Sequence, residues 1–142
     1  ENWQIAIKPG KPLAFGGVRR ADGGAALFIG LPGNPVSSHV NFLLAVVPLL
    51  RVMQGADASV AQALPRGLAL RADFDWPKAD KRREFLRVRL NAEGGLSLFP
   101  NQSSAVLTSV VWADGLVDNP PGHAFRRGDT VRFLPLSELI AR

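Results

Sequence analysis

The sequence has 142 residues, 46% of them hydrophobic and 20% charged, and this composition indicates one compact domain or two small ones. The absence of cysteine excludes disulfides, thiolate zinc sites and cysteine nucleophiles. A formal net charge of +5 favours anionic partners, but it does not distinguish nucleic acid from a phosphorylated small molecule.

The apolar segments predict a soluble protein. The longest of them, residues 42–50, is shorter than a bilayer span requires and contains Pro48. The sequence begins Glu1-Asn2-Trp3, without a methionine or a signal segment, so we expect it to be a piece of a longer chain.

The first thirty residues predict three strands. Residues 3–7 and 13–18 are the first two, separated by a loop in which prolines and a glycine flank Lys8 and Lys11. Asp22-Gly23 is a strong hairpin signal between the second strand and the third. The third strand, residues 25–29, is apolar on both faces, which favours a central place in its sheet.

Residues 30–35, Gly-Leu-Pro-Gly-Asn-Pro, connect the third strand to a predicted helix. Asn34 has the position of the N-cap and Pro35 that of the first helical residue. Gly30 and Gly33 permit backbone conformations, or close approach of a ligand, that a Cβ would prevent. A helix N-terminus of this kind suits a phosphate, although an ordinary strand-to-helix turn has the same pattern.

The predicted hairpin brings residues 12 and 30 to the same end of the sheet. We therefore expect Lys8 and Lys11 to lie near the amides of Gly33 and Asn34, where their charges would complete an anion site. The helix that follows, residues 36–54, is apolar nearly all round, which predicts burial on more than one side. Pro48 predicts a kink in it.

The second half of the chain predicts a small, mostly β domain. After an uncommitted linker, short strands are expected at 67–72, 84–90, 96–99, 115–117 and 130–134, with a short helix at 105–112. His39 and His123 are too far apart in sequence to argue for zinc. Asp73 and Asp75 share a strand face and could bind a hard cation, but the sequence favours a solvated strand edge.

Two motifs together resemble a known family. Residues 8–12, Lys-Pro-Gly-Lys-Pro, are followed by Phe15-Gly16 and then by Gly-Leu-Pro-Gly-Asn-Pro-Val-Ser at 30–37. In this order and spacing they resemble the molybdopterin molybdenumtransferases, the family of MoeA and of the E domain of gephyrin. Residues 100–104 and 128–131 are similar to the family's C-terminal domain.

The resemblance implies a two-part α+β fold. Residues 1–56 would be the end of an α/β, MogA-like molybdopterin-binding domain, residues 57–63 a linker, and residues 64–142 a small, mostly β domain of the β-clip type. It also implies an elongated homodimer in the cytoplasm, with no membrane partner.

The implied activity is insertion of molybdate into adenylylated molybdopterin, with Mg²⁺ and release of AMP. By motif, Lys8, Lys11 and Ser104 match catalytic positions. Cofactor-binding positions are matched by five residues of the hexapeptide: Gly30, Pro32, Gly33, Asn34 and Pro35.

The sequence departs from the family pattern at several points. The acidic motifs that would bind Mg²⁺ precede residue 1 in the family, so we expect no metal ligand here and no activity from this piece alone. Gln4 stands where some members have a lysine, and Ser103 stands where glycine is usual.

Two non-enzymatic alternatives remain open. A basic β domain can bind single-stranded nucleic acid through stacked aromatic side chains. The lack of tyrosine and the scattered phenylalanines argue against nucleic acid as a partner. The second alternative is a scaffold whose β domain docks another protein.

Overall fold

Two sheets and several short helices make up the fold in the computed structural model, which describes residues 3–5, 7–9, 13–59, 64–103 and 106–141. The strands are β1 (Trp3–Ile5), β2 (Ile7–Lys8), β3 (Leu13–Arg19), β4 (Ala25–Gly30), β5 (Leu68–Arg71), β6 (Arg83–Leu90), β7 (Leu96–Leu98), β8 (Gly115–Asn119) and β9 (Thr130–Pro135). The helices are α1 (Pro35–Asn41), a π-helical segment (Phe42–Val46), α2 (Val47–Met53), α3 (Thr108–Trp112) and α4 (Leu136–Ala141).

The smaller sheet has the order β1-β3-β4 and is antiparallel throughout. The predicted hairpin is confirmed, since β3 pairs with β4 from Ala14 opposite Gly30 to Arg19 opposite Ala25. The central position expected for residues 25–29 is wrong within the described chain, because β4 is the last strand in the order and Leu27 is 62% exposed. An apolar composition allows a strand to be buried, but burial also requires neighbouring elements that pack against it.

The start of the long helix agrees with the sequence. The Asn34 side chain accepts a hydrogen bond from the backbone N–H of Val36, and Pro35 is the first helical residue. The disturbance expected at Pro48 takes the form of the π-helical segment just before it, in which Val47 N–H donates to the carbonyl of Phe42. This wider turn accommodates a proline that lacks an N–H and would crowd a preceding carbonyl.

The helix is buried over part of its circumference. The consecutive pairs 36–37 and 40–41 are buried, whereas Phe42 and Met53 are 40% and 62% exposed. Burial on more than one side, as the sequence predicts, is therefore met only in part in the described chain, because one face of the helix is exposed. By length and composition this 19-residue helix could cross a membrane, but a core helix of a soluble protein passes the same test, and a third of it is buried here.

The larger sheet has the order β2-β6-β8-β9-β5, with β7 also paired to β6. One hydrophobic cluster includes Leu86, Val117 and Phe133. A second cluster joins this sheet to the helices: Phe85, Leu116 and Leu134 pack with α4 and with Val36 and Val40 of α1.

The β-rich character of the second half agrees with the prediction, as a mixed sheet with a few short helices. N-terminal residues also join it, because β2 pairs in parallel with β6. The α/β, MogA-like character of residues 1–56 and the linker at 57–63 stay predictions, since residues 60–63 lie outside the described chain.

Candidate oxyanion-binding site

A cavity of about 380 Å³ lies where β2 meets β6. Its walls come from both ends of the sequence, because Lys8 of β2 is in register with Glu84 of β6. The polar and charged lining residues are Lys8, Trp76, Glu84, Arg87, Gln102 and Ser103.

Lys8 stands at the rim of this cavity. Its Nζ is 2.9 Å from Oδ2 of Asp80 and 4.0 Å from Oε2 of Glu84, and its side chain is 43% exposed. The Asp80 carboxylate also accepts from the backbone and side chain of Arg82. The Arg82 backbone N–H, then the Lys8 ammonium, lower the pKa of Asp80 well below its usual range, so Asp80 is ionised at neutral pH.

Glu84 fixes the adjacent wall. It is 2% exposed, and its Oε1 accepts from the indole Nε1 of Trp76 and from the backbone N–H of Asp80, both at 3.1 Å. One buried carboxylate therefore holds the indole and the loop that carries Asp80. Through that loop it also fixes the position of Lys8.

Arg87 contributes a buried positive charge. It is 2% exposed, and in the described chain its guanidinium donates to three neutral oxygens: the carbonyl of Phe85 at 3.1 Å, the carbonyl of Gln102 at 2.5 Å and the hydroxyl of Ser109 at 3.3 Å. Burial lowers the pKa of Arg87 to about 10, which still leaves it charged at neutral pH. Among the described residues no carboxylate forms an ion pair with it.

A buried charge without a counterion is costly in water-free surroundings, and an oxyanion entering the cavity would relieve that cost. The arrangement therefore suits a small anion with oxygens to accept from a guanidinium and an ammonium. A metal ion fits it poorly. In the described chain no group of three or more His, Asp or Glu side chains could hold one, and Glu84 and Asp80 are already engaged.

Gln102 attaches the loop after β7 to β6. Its Oε1 accepts from the backbone N–H of Arg87 at 2.9 Å, and its Nε2 donates to the carbonyls of Arg87 and Phe99 at 3.1 and 2.8 Å. Ser103 is thereby brought to the cavity wall. Ser104, the serine singled out from the sequence, is the next residue but lies outside the described residues, as does Lys11.

The hexapeptide lies apart from this cavity. None of its described residues, Gly30, Pro32, Gly33, Asn34 or Pro35, belongs to the lining. Neither Gly30 nor Gly33 has a positive φ, so neither backbone conformation requires glycine. A Cβ at position 33 would also meet no atom within 4 Å. The structure thus places Lys8 and Arg87 in the lining of one cavity, while the expected meeting of Lys8 and Lys11 with the hexapeptide amides stays a prediction.

Sequence reasoning missed Arg87 and Gln102. In the alternation of residues 84–90, Arg87 and Arg89 are equivalent polar positions, and nothing in the pattern marks one as buried. Gln102 lies in the stretch 100–104 that resembles the family's C-terminal domain, but nothing in that pattern assigns it a role. What separates the two arginines is tertiary structure: Ser109 of α3 and the carbonyl of Gln102 accept from the guanidinium of Arg87, whereas the side chain of Arg89 is 54% exposed.

Comparison with known proteins gives a consistent set of relatives. Residues 69–136 match the MoeA C-terminal region (domain IV). The molybdopterin molybdenumtransferase of Haemophilus influenzae is 55% identical over 53 residues, which are 37% of this chain and 12% of that protein. That of Synechococcus elongatus is 34% identical over 127 residues, 89% of this chain and 29% of that protein.

A solved structure agrees with these relatives. The crystal structure of a molybdopterin biosynthesis MoeA protein from Pyrococcus horikoshii is 31% identical, with a TM-score of 0.67, over 93% of this chain and 30% of that one. The chain therefore spans less than a third of each of these proteins.

Proposed function

This chain belongs to the MoeA family through its C-terminal region, and on that premise we propose that it takes part in molybdenum cofactor biosynthesis by binding molybdate between Lys8 and Arg87. The observation that carries the proposal is the buried Arg87, which has no carboxylate partner in the described chain and belongs to the lining of a cavity that also includes Lys8. Molybdate is a tetrahedral oxyanion, and its oxygens can accept hydrogen bonds from an ammonium and a guanidinium group.

The proposed reaction is transfer of molybdenum to adenylylated molybdopterin with release of AMP. Such a step needs charge neutralisation and alignment of two anionic reactants more than it needs a covalent nucleophile. In this scheme Arg87 and Lys8 hold the molybdate oxygens, while Glu84 and Asp80 hold Lys8 in place. Mg²⁺ is expected to be held mostly by acidic residues that precede this chain in the family, so no step of this scheme passes through it.

Other parts of the scheme rest on the motifs. The hexapeptide 30–35 would bind the molybdopterin phosphate, with Lys11 and Ser104 completing the catalytic set. Homodimer assembly and cytoplasmic location belong to the same proposal. The complete activity requires the full-length protein, because the chain spans only a part of its relatives.

The decisive test compares two arginines of β6. In the full-length protein, Arg87→Gln should weaken molybdate binding roughly 10- to 100-fold, because a charge-assisted hydrogen bond contributes about 1.5–3 kcal/mol. Arg89→Gln is the matched control: it removes the same charge from the same strand, but its side chain is 54% exposed and lies over Trp112. Affinity is measured by isothermal titration with molybdate, and molybdenum transfer is assayed in parallel.

Lys8→Gln is a second test of the site that does not depend on the folding of Arg87→Gln, because the Lys8 side chain is partly exposed. We expect it to weaken molybdate binding about tenfold. Unchanged affinity in both the Arg87 and the Lys8 variants, with a native circular dichroism spectrum, would remove the site assignment. Equal losses at Arg87 and Arg89 would indicate a general effect of net charge instead.

A further inference from the structure

A second cavity, of about 450 Å³, opens where β8 and β9 separate. Pairing between these strands ends at Val117 opposite Phe133. Beyond that point, in the described chain, Asp118 and Asn119 pair with β6, whereas residues 130–132 of β9 pair with β5. The space between the diverging strands is the cavity.

Two arginines share one carboxylate at this opening. Oδ1 of Asp118 accepts from Arg83 Nε at 2.6 Å, and its Oδ2 accepts from Arg83 Nη2 at 2.5 Å and from Arg132 Nη1 at 2.9 Å. The Asp118 side chain is 3% exposed, whereas those of Arg83 and Arg132 are 40% and 39% exposed. Two cations and one anion leave a net charge of +1 at the cavity wall.

Both guanidinium groups are held in place. Nε and Nη2 of Arg132 donate to the carbonyls of Arg66 and Pro65, which fixes the plane of the group. Arg83 lies over the ring of Phe85, and its forked bond to Asp118 raises its pKa, so it stays charged. In the described chain no hydrogen bond uses Nη1 of Arg83. A donor therefore remains for a ligand, at no cost in ordering the side chain.

The rest of the lining adds neutral hydrogen-bonding groups. The buried Asn119 amide donates to the carbonyl of His123 and contacts its ring Nδ1, both at 2.8 Å. With the amide in this orientation the ring proton is on Nδ1, and Nε2 has no hydrogen-bond partner in the described chain. The Thr130 side chain also lines the cavity.

We propose that this cavity is a second anion site, which binds a phosphate group through Arg83 and Arg132, with His123 and Thr130 as further hydrogen-bonding contacts. Its polar groups come from β6, from β9 and from the loop after β8. Inorganic phosphate can accept from the two arginines and Thr130 through its oxygens and donate its own O–H to Nε2 of His123, whereas a carboxylate has two oxygens and no O–H at neutral pH. The site shares no lining residue with the Lys8–Arg87 cavity, so it does not rest on the function proposed above.

The test follows histidine ring resonances of the full-length protein during titration with inorganic phosphate. The His123 signal is identified by its loss in His123→Gln, and His39, on α1, serves as an internal reference. Phosphate should shift the His123 signal saturably and leave that of His39 in place. Arg83→Gln should weaken this binding roughly tenfold or more.

Three further variants sharpen the result. Thr130→Val keeps the Arg83–Asp118–Arg132 bridge and should still weaken phosphate binding several-fold. It therefore tests the site even if Arg83→Gln does not fold. Arg126→Gln removes the same charge outside this lining and should leave affinity unchanged. Lys8→Gln should weaken molybdate binding at the first cavity without changing the phosphate response of His123.

Three outcomes would overturn the site. They are absence of a saturable His123 shift, equal phosphate affinity in the parent protein and in folded Arg83→Gln and Thr130→Val, and saturation by acetate with affinity equal to that of phosphate. Failure of molybdate binding with an intact His123 response would leave this site standing and remove only the first.

Discussion

Two arginines of β6 have the same sequence context and opposite environments. Arg87 is buried, donates to carbonyl and hydroxyl oxygens, and has its pKa lowered to about 10 by desolvation. Arg89, two residues further on, is largely exposed and has Asp114 at 4.0 Å. A charge that has lost water without gaining a counterion attracts an anion far more strongly than a solvated one.

Asp73 is one of the carboxylates that make the fold sensitive to acid, since its pKa, like that of Asp80, is lowered. The Asp73 carboxylate accepts two hydrogen bonds from Arg71, at 2.7 and 3.1 Å, and one from Asn91 at 2.7 Å. The Arg71 bonds first, then that of Asn91, lower the pKa of Asp73 from 3.8 to about 2. Because the folded pKa is lowered, this stabilisation is complete above 3.8 and is lost as the pH falls towards 2.

We therefore expect Asp73→Asn to reduce the free energy of unfolding at about pH 6, with the difference from the parent shrinking below about pH 4 and nearly gone at about pH 2. Urea unfolding across this range measures it. Arg71→Gln is the complementary variant, and in it a carboxyl NMR titration should place the Asp73 pKa closer to its ordinary value. A difference that persists unchanged to the lowest pH would contradict the assignment.

Among single residues, the sequence predicted only those that belong to a recognisable motif. Lys8 was found because prolines and glycine set it in a recognisable loop, and Asn34 because its cap position follows from the proline after it. Arg87 was not found, since β alternation marks it as polar and its burial depends on Gln102 and α3. Burial of a polar residue is a tertiary property that one strand does not encode.

Among the elements, the start of α1 after β4 is capped by the side chain of Asn34. The Oδ1 of Asn34 accepts from Val36 N–H at 3.2 Å, which satisfies one of the orphan amides at the helix start. Asn34→Ala should lower the free energy of unfolding by about 1 kcal/mol. Asn34→Ser retains an acceptor and should restore most of that loss, as urea unfolding of both variants would measure. Equal destabilisation by alanine and serine would show that the cap is not the cause.

Element prediction succeeded where turns delimit the chain. The five strands of the second half were expected within about two residues of their observed ends, since Gly, Asn and Asp turns bound them. The helix expected at 105–112 begins at Thr108, and α4 was missed because it follows β9 directly with no turn residue between them. The π-helical turn before Pro48 follows from the proline, but its form was not foreseeable.

Across the whole molecule, one hydrophobic cluster connects the two ends of the sequence. Val36 and Val40 of α1 pack in the same cluster as Leu116, Leu134 and Leu139. The parallel pair of β2 with β6 adds a second connection. The sequence predicted two parts but not this contact, because periodicity identifies apolar faces without saying which two of them meet.

Because α1 and the larger sheet share one hydrophobic cluster, we expect them to unfold together. Leu134 is fully buried between the helices and the sheet, so Leu134→Ala should cost about 2–5 kcal/mol through lost contacts and a residual cavity. If the cluster couples the two parts, this substitution in β9 must destabilise α1 and the sheet together.

Two signals follow the two parts separately during thermal unfolding. Far-UV circular dichroism at helical wavelengths is dominated by the helix from Pro35 to Met53, and in a Trp3→Phe background the near-UV tryptophan signals report Trp76 and Trp112. In Leu134→Ala both midpoints should fall by the same amount. Ile140→Ala is the matched control, because Ile140 is 56% exposed and its loss should change stability by less than about 0.5 kcal/mol. Separate transitions, or a shift in the tryptophan signal alone, would mean that the stability of α1 does not depend on its packing against the sheet.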